Sequence, residues 1–411
     1  MEMKHYYWIW IWLASTAAAQ PLPELVQEAL RNNREILAAQ KKVEALRQRP
    51  AQESSLPDPT VSLGWTSNGG PWPGAGLGTN PTSNLGVTVS QEVPAPGKRK
   101  LRGEIADKDA AAAFEEYLAA RLRVTARLAQ AYHELHHAAV AAGFIDRYQD
   151  LLQNIIRLSE VRYTVGRGAQ QDVLRAQTQV AIFAAQRIRF EQQREARQIE
   201  INALLNRPQA GPIQIPGDMT AGPPPPPLGD LLAQARAHSP LAARDRDVVQ
   251  GSELTARLAR KNYTPDYTVS GGYFNQGGMP PMWQARVDFK LPAYFWRKQR
   301  PAVAEEEAGA SQARHEYAAT LLEIEAGIRE QYSTAESAHK LVDLYERSVI
   351  PEARLAYESA LAGYESGRAD FLAVFTSFTS VVDYELMDHE EIMRFHVAMA
   401  KLEELTGVEQ K

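Results

Sequence analysis

The sequence predicts a mainly α-helical chain with four β-strands that complete a membrane barrel only alongside other chains. Three observations predict it: one structural plan is written twice, two pairs of alternating strands interrupt the helices, and the helices are unusually long.

The repeat comes first. LPDPTVSLGW (56–65) returns as TPDYTVSGGY (264–273), 208 residues later. A second strand follows in each half, LGVTVSQEV (85–93) and WQARVDFKL (283–291). Basic segments come next, PGKRKLR (96–102) and FWRKQRP (295–301), and then long Ala- and Glu-rich stretches. Each half reaches a Tyr-x-x-Gly-Arg turn, YTVGRG (163–168) and YESGRA (364–369), and closes with another helix. The halves are therefore read as 20–206, with a hairpin at 60–93, and 228–408, with a hairpin at 267–291. Residues 207–227 join them, and five consecutive prolines make this a semi-rigid polyproline-type linker or a disordered spacer.

The strands alternate with a period of two. Trp283, Ala285, Val287, Phe289 and Leu291 share one face, and Gln284, Arg286, Asp288 and Lys290 share the other. An apolar-out, polar-in barrel wall has this pattern, and so does an edge of a soluble sheet. Four strands are too few to close a barrel, so closure needs several chains. The hairpin tips, 67–82 and 275–281, are rich in Gly, Pro and Asn, which supply turns. Trp65, Trp72, Tyr267, Tyr273 and Trp283 fit an interfacial aromatic girdle.

The helices carry a length argument. A helix over about 100–163 measures ~95 Å, and helices near 22–54 and 169–206 measure ~50 and ~57 Å. The two short ones laid end to end match the long one. The second half repeats the pattern (228–262, 298–363, 369–408), with Pro351 expected to kink its long helix.

Composition narrows the function. Among 411 residues, 45 Lys and Arg nearly balance 50 Asp and Glu, so no general pull toward nucleic acid exists. The chain has no cysteine, which excludes disulfides, thiolate nucleophiles and Cys-based zinc sites. Residues 1–19 read as a signal peptide: Lys4, an apolar run from Tyr6 to Ala14, then Ala17-Ala18-Ala19. The run is too short to span a bilayer, and later residues hold no run of about 18 apolar residues. A spanning segment must then be part of a closed β-barrel.

The order of these features, together with QEVPAPGKRKLR and the turn followed by GAQQDVLRAQTQV, resembles the TolC-like outer membrane factors. The resemblance implies a homotrimeric α-barrel plus β-barrel channel in the outer membrane of a Gram-negative bacterium, extending into the periplasm. It implies no enzyme activity and no cofactor. Its implied partners are outer-membrane lipid, a periplasmic adaptor and an inner-membrane pump of the resistance-nodulation-division type. The P-x-P-G-K-R segment and the short mature length are similar to the heavy-metal efflux branch. The turns would lie at the periplasmic tip, where Tyr163, Gly166, Arg167 and Gly367 would meet the adaptor. Asp172, bonded to Tyr364 and Arg368, would hold the gate. Arg368 falls one residue earlier than in the best-known member. Two acids that ring the pore mouth there are matched here by Ala373 and Thr376, with Asp370 at a different spacing.

One motif points elsewhere. His133-Glu134-Leu135-His136-His137 matches H-E-x-x-H, which on a helix sets two zinc ligands one turn apart with a Glu as base. A periplasmic zinc hydrolase is the enzyme alternative, and a soluble coiled-coil protein the structural one. No third ligand follows at the usual short spacing, and Ser333, Thr334 and Ser337 occupy the matching positions of the second half. The motif is therefore disfavoured as a metal site and read as an exposed or interhelical polar stripe. His389 and His396 are read as ordinary helix surface.

Overall fold

The computed structural model describes residues 20–208, 211–215, 217 and 219–408; the signal-peptide reading of 1–19 lies outside the described residues. The elements run α1 (Leu22–Asn32), α2 (Arg34–Leu46), α3 (Arg49–Ser54), β1 (Thr60–Thr66), β2 (Asn84–Val93), α4 (Lys98–Thr164) and α5 (Gln170–Leu204). The second series is α6 (Leu228–His238), α7 (Pro240–Lys261), β3 (Asp266–Gln276), β4 (Met279–Lys290), α8 (Gln299–Leu344), a π turn (Tyr345–Val349), α9 (Ile350–Glu365) and α10 (Phe371–Thr406). They form two compact units. Among the described residues, one comprises 20–34, Arg121–Leu231 and 328–408, the other Glu35–Ala120 and Leu232–Gly327.

In the second unit the strands make one antiparallel sheet in the order β1-β2-β3-β4. Val61 pairs with Val89, Val89 with Gly271 and Gly271 with Ala285. Leu63, Val87, Tyr273 and Trp283 form the next row. One face is thus apolar across all four strands, and it is bare: Leu63 is 81% exposed and Trp283 77%. The other face carries Ser62, Thr88, Gly272 and Gln284 in one row. Phe274 departs from this polar pattern. Its ring lies where a Cβ on Gly86 would stand, only 2.1 Å from such an atom, so the sheet needs glycine at 86. Beneath the sheet, buried Lys98 pairs with Asp266 at 2.8 Å and joins the start of α4 to the start of β3.

The helices depart from the sequence reading at two points, and at Pro351 the expected interruption takes a specific form. The expected single helix over 22–54 is three helices. Asn33 turns extended (ψ 128°) and its buried amide donates to the Leu204 carbonyl at the end of α5. The expected helix over 228–262 breaks at Ser239, because Pro240 drives the residue before it out of the helical region. Pro351 is preceded by a π turn, where one extra residue absorbs the hydrogen bond that proline cannot donate.

In the first unit, Ile145, Leu152, Ile155 and Tyr148 of α4 pack with Phe183 of α5 and with Val374, Phe378 and Val382 of α10. The linker is laid on the helices of this unit. Gln20 donates its backbone N–H to the Gln214 carbonyl, Ile213 is buried, and Ala221 packs beside Phe395 and Ala398. Among the described residues no helix is long and apolar enough to cross a membrane.

Candidate functional site at the helix reversals

Both reversals are built on a glycine that closes the preceding helix. Gly166 (φ 72°) follows α4 and Gly367 (φ 77°) follows α9. The next residue donates back across the last turn, Arg167 N–H to the Arg162 carbonyl and Arg368 N–H to the Gly363 carbonyl, each at 2.8 Å. This glycine closure satisfies carbonyls the helix leaves open. Asp370 caps α10 by accepting the Ala373 N–H at 2.9 Å. Asp172 sits in the first turn of α5, where a carboxylate complements the helix dipole.

The two turn tyrosines differ. Tyr163 is 47% exposed, and Val165 and Leu174 are exposed as well. Tyr364 is 3% exposed and edge-on to Phe371. Its hydroxyl donates to Ser159 Oγ at 3.5 Å, and the Arg162 guanidinium covers its ring. The bond expected between Asp172 and Tyr364 is therefore replaced, within this chain, by one to Ser159. Arg368 Nε donates to Ser366 Oγ instead of reaching Asp172. The contacts bring Arg162, Ser159 and Tyr364 together and leave Asp172 and Arg368 apart from them. Sequence reading missed Arg162 and Ser159; the available signal was only that Arg162 precedes the turn tyrosine.

Further along the same helices, exposed arginines reach a buried carboxylate, Glu385. Arg354 Nε donates to Glu385 Oε1 at 3.0 Å, and Arg147 stands 3.8 Å from Glu385 Oε2. Burial and a hydrogen bond to Glu385 push the Tyr148 hydroxyl pKa up. Asp388, 7% exposed, has an Oδ1 without a hydrogen-bond partner. Burial, then Glu346 and Glu385, raise its pKa to about 6.

The H-E-x-x-H side chains take separate partners. His133 stacks on His396 at 4.5 Å, and its Nδ1 lies 3.1 Å from Met219 Sδ in the linker. His137 meets Phe190 edge-on, and Glu134 pairs with Arg197 at 2.6 Å. Among the described residues no three His, Cys, Asp or Glu are grouped to hold a metal. The stripe is interhelical. His136 and His396 contact the Gly217 and Thr220 carbonyls, so these histidines seat the linker. Reading His389 and His396 as ordinary surface is corrected. His389 packs on Phe144 at 4.7 Å, and burial, then neighbouring His137 and His136, lowers its pKa to about 4.

The outer membrane efflux protein profile matches residues 25–207, from α1 through the first reversal to the end of α5. Over this segment the chain is similar to the outer membrane efflux protein family. Solved channels extend the likeness to the rest of the fold. The Vibrio cholerae outer membrane protein VceC superposes with a TM-score of 0.80 at 19% identity, over 94% of this chain and 96% of that one. CusC, described for its folding and transmembrane channel formation, gives 0.79 at 14%, over 95% and 93%. The open state of the Neisseria gonorrhoeae MtrE outer membrane channel gives 0.78 at 17%, over 95% and 89%. No curated protein sequence matches the chain. The fold is that of the family's channels, a helical part joined to a four-stranded share of a β-barrel.

Proposed function

We propose that this chain is one subunit of a homotrimeric outer-membrane duct, the exit of a tripartite efflux system for small molecules or heavy-metal cations. The observation that carries it is the bare apolar face shared by all four strands, in a sheet whose outer strands have no further strand partner among the described residues. A sheet face this apolar is stable against lipid, not water. Closing the wall with other copies satisfies the edge strands. The duct is passive; an inner-membrane pump of the resistance-nodulation-division type supplies the energy.

The two reversals form the periplasmic tip. Exposed Tyr163, Val165, Gly166, Arg167 and Gly367 offer a surface for a periplasmic adaptor. Tyr364, packed under Arg162 and bonded to Ser159, holds the tip closed within the chain, Asp172 and Arg368 do so toward neighbouring copies, and adaptor binding loosens both. Conductance across a planar bilayer tests the reading. Purified protein should insert and pass ions in low-conductance events. Asp172→Ala with Tyr364→Phe should open more often. A folded oligomer that never conducts would overturn the duct, and an unchanged open fraction in the double variant would overturn the gate.

A further inference from the structure

The chain carries one unit twice, and the two copies are not equally satisfied. In the first, Lys98 is buried, with its Nζ 2.8 Å from Asp266 Oδ1 and 2.9 Å from the Thr264 carbonyl. Asp266 Oδ1 also accepts the Ala95 N–H at 2.7 Å. The cluster fastens the end of β2 and the start of α4 to the start of the neighbouring strand, β3.

The repeat identifies the counterparts of both residues. Thr60 pairs with Ser90 and Thr268 with Asp288, so β1 maps onto β3 at a spacing of 208 and β2 onto β4 at 198. The helices map at 200 as far as the π turn: Ala113, Leu128 and Ala138 are buried, and so are Ala313, Ile328 and Ala338. The π turn adds one residue, and beyond it Gly166 and Gly367 match at 201. Lys298 is therefore the counterpart of Lys98. Asp58, in Pro57-Asp58-Pro59-Thr60-Val61, is the counterpart of Asp266, in Pro265-Asp266-Tyr267-Thr268-Val269.

Both counterparts are exposed, and neither side chain has an ion pair or hydrogen bond among the described residues. They stand at opposite edges of the sheet, at the start of β1 and just past the end of β4, with β2 and β3 between. The same spacings turn the pairs Glu92–Thr268 and Val89–Gly271 into Lys290–Thr60 and Val287–Leu63, a register between β4 and the β1 of another copy.

We propose that Lys298 pairs with Asp58 of a second copy of this chain, repeating across each subunit boundary the contact that Lys98 and Asp266 make within the chain. This rests on the reading of the sheet as a wall closed by several copies. The ammonium of one subunit and the carboxylate of the next then clamp the junction between strands and helices, where sliding by one residue would turn the apolar face inward.

The absence of native cysteine makes the test clean. Asp58→Cys and Lys298→Cys are introduced together into the full chain, which is purified in detergent and treated with a short bis-methanethiosulfonate. Covalent dimers and trimers should appear on denaturing gels, and neither single variant should form the ladder. Separately, Asp58→Lys and Lys298→Asp should each lower the temperature at which the oligomer dissociates, and combining them should recover at least half of that loss. An intact oligomer with no inter-chain cross-link, or with no recovery in the swap, overturns the pairing and leaves the duct standing. A chain that stays monomeric by native mass overturns both.

Discussion

The guanidinium carbon of Arg162 lies 4.2 Å from the ring centre of Tyr364, so the last turn of α4 is clasped to the last turn of α9. One residue comes from each half, and the aromatic face is otherwise buried. The clasp joins the two reversals directly.

Its strength is open to measurement. Tyr364→Phe keeps the ring under Arg162 and loses only a long hydroxyl contact, so thermal unfolding should shift by less than about 0.5 kcal/mol. Tyr364→Ala removes a buried ring and its cation partner, and should cost about 3 kcal/mol. Equal effects from the two variants would show that the hydroxyl, not the ring, holds the tip.

The buried Lys98–Asp266 pair gives a second expectation. The Lys98 ammonium and the Ala95 N–H both donate to the Asp266 carboxylate, at 2.8 and 2.7 Å. Lys98→Met should cost about 3 kcal/mol near neutral pH, because it strands a partly buried carboxylate. Lys98→Met with Asp266→Leu should recover most of it, read from thermal unfolding in detergent.

His133 gives the pH profile. Burial, then His396 and His136, lowers its pKa to about 3, so the folded chain keeps it neutral. The unfolded chain takes up a proton below about pH 6.5, so stability is fully present above that value and declines as pH falls toward 3. At pH 5 this group should account for about 2 kcal/mol of lost stability. His133→Gln should flatten the profile; a slope identical to that of the unaltered chain would refute this assignment.

Asp388 has the opposite sign. Its raised pKa of about 6 means the folded state holds the proton better, so stability declines as pH rises from about 4 to about 6, and the full cost of the carboxylate is present above that. Asp388→Asn should stabilise by about 1–2 kcal/mol at pH 7.5 and make little difference at pH 4. Unfolding midpoints at both values decide it.

Gly86 tests the sheet. A valine there meets the Phe274 ring, which has to rotate away across the polar face. Gly86→Val should lower the yield of folded protein, and Phe274→Ala in the same chain should restore it.

Much of this was legible in order and period. LPDPTVSLGW and TPDYTVSGGY marked the doubled hairpins, because strand alternation is a local pattern and survives in the letters. Gly166 and Gly367 marked the reversals, because only a residue without a Cβ accepts that backbone cheaply. Asn33 was not legible as a helix break, since its cause is a carbonyl of Leu204, 171 residues away. The histidines read as a metal motif or a bland stripe until the linker carbonyls were placed beside His136 and His396.

The sequence by itself determined the doubled plan, the alternating strands and the closing glycines, all set by short-range geometry and side-chain period. Only the tertiary structure decided that Tyr364 turns to Ser159 and Arg162, that Phe274 sits over Gly86, and that Lys98 is spent on Asp266. Those choices depend on which distant groups meet in three dimensions, and a carboxylate or a hydroxyl takes whichever partner packing brings within hydrogen-bond reach.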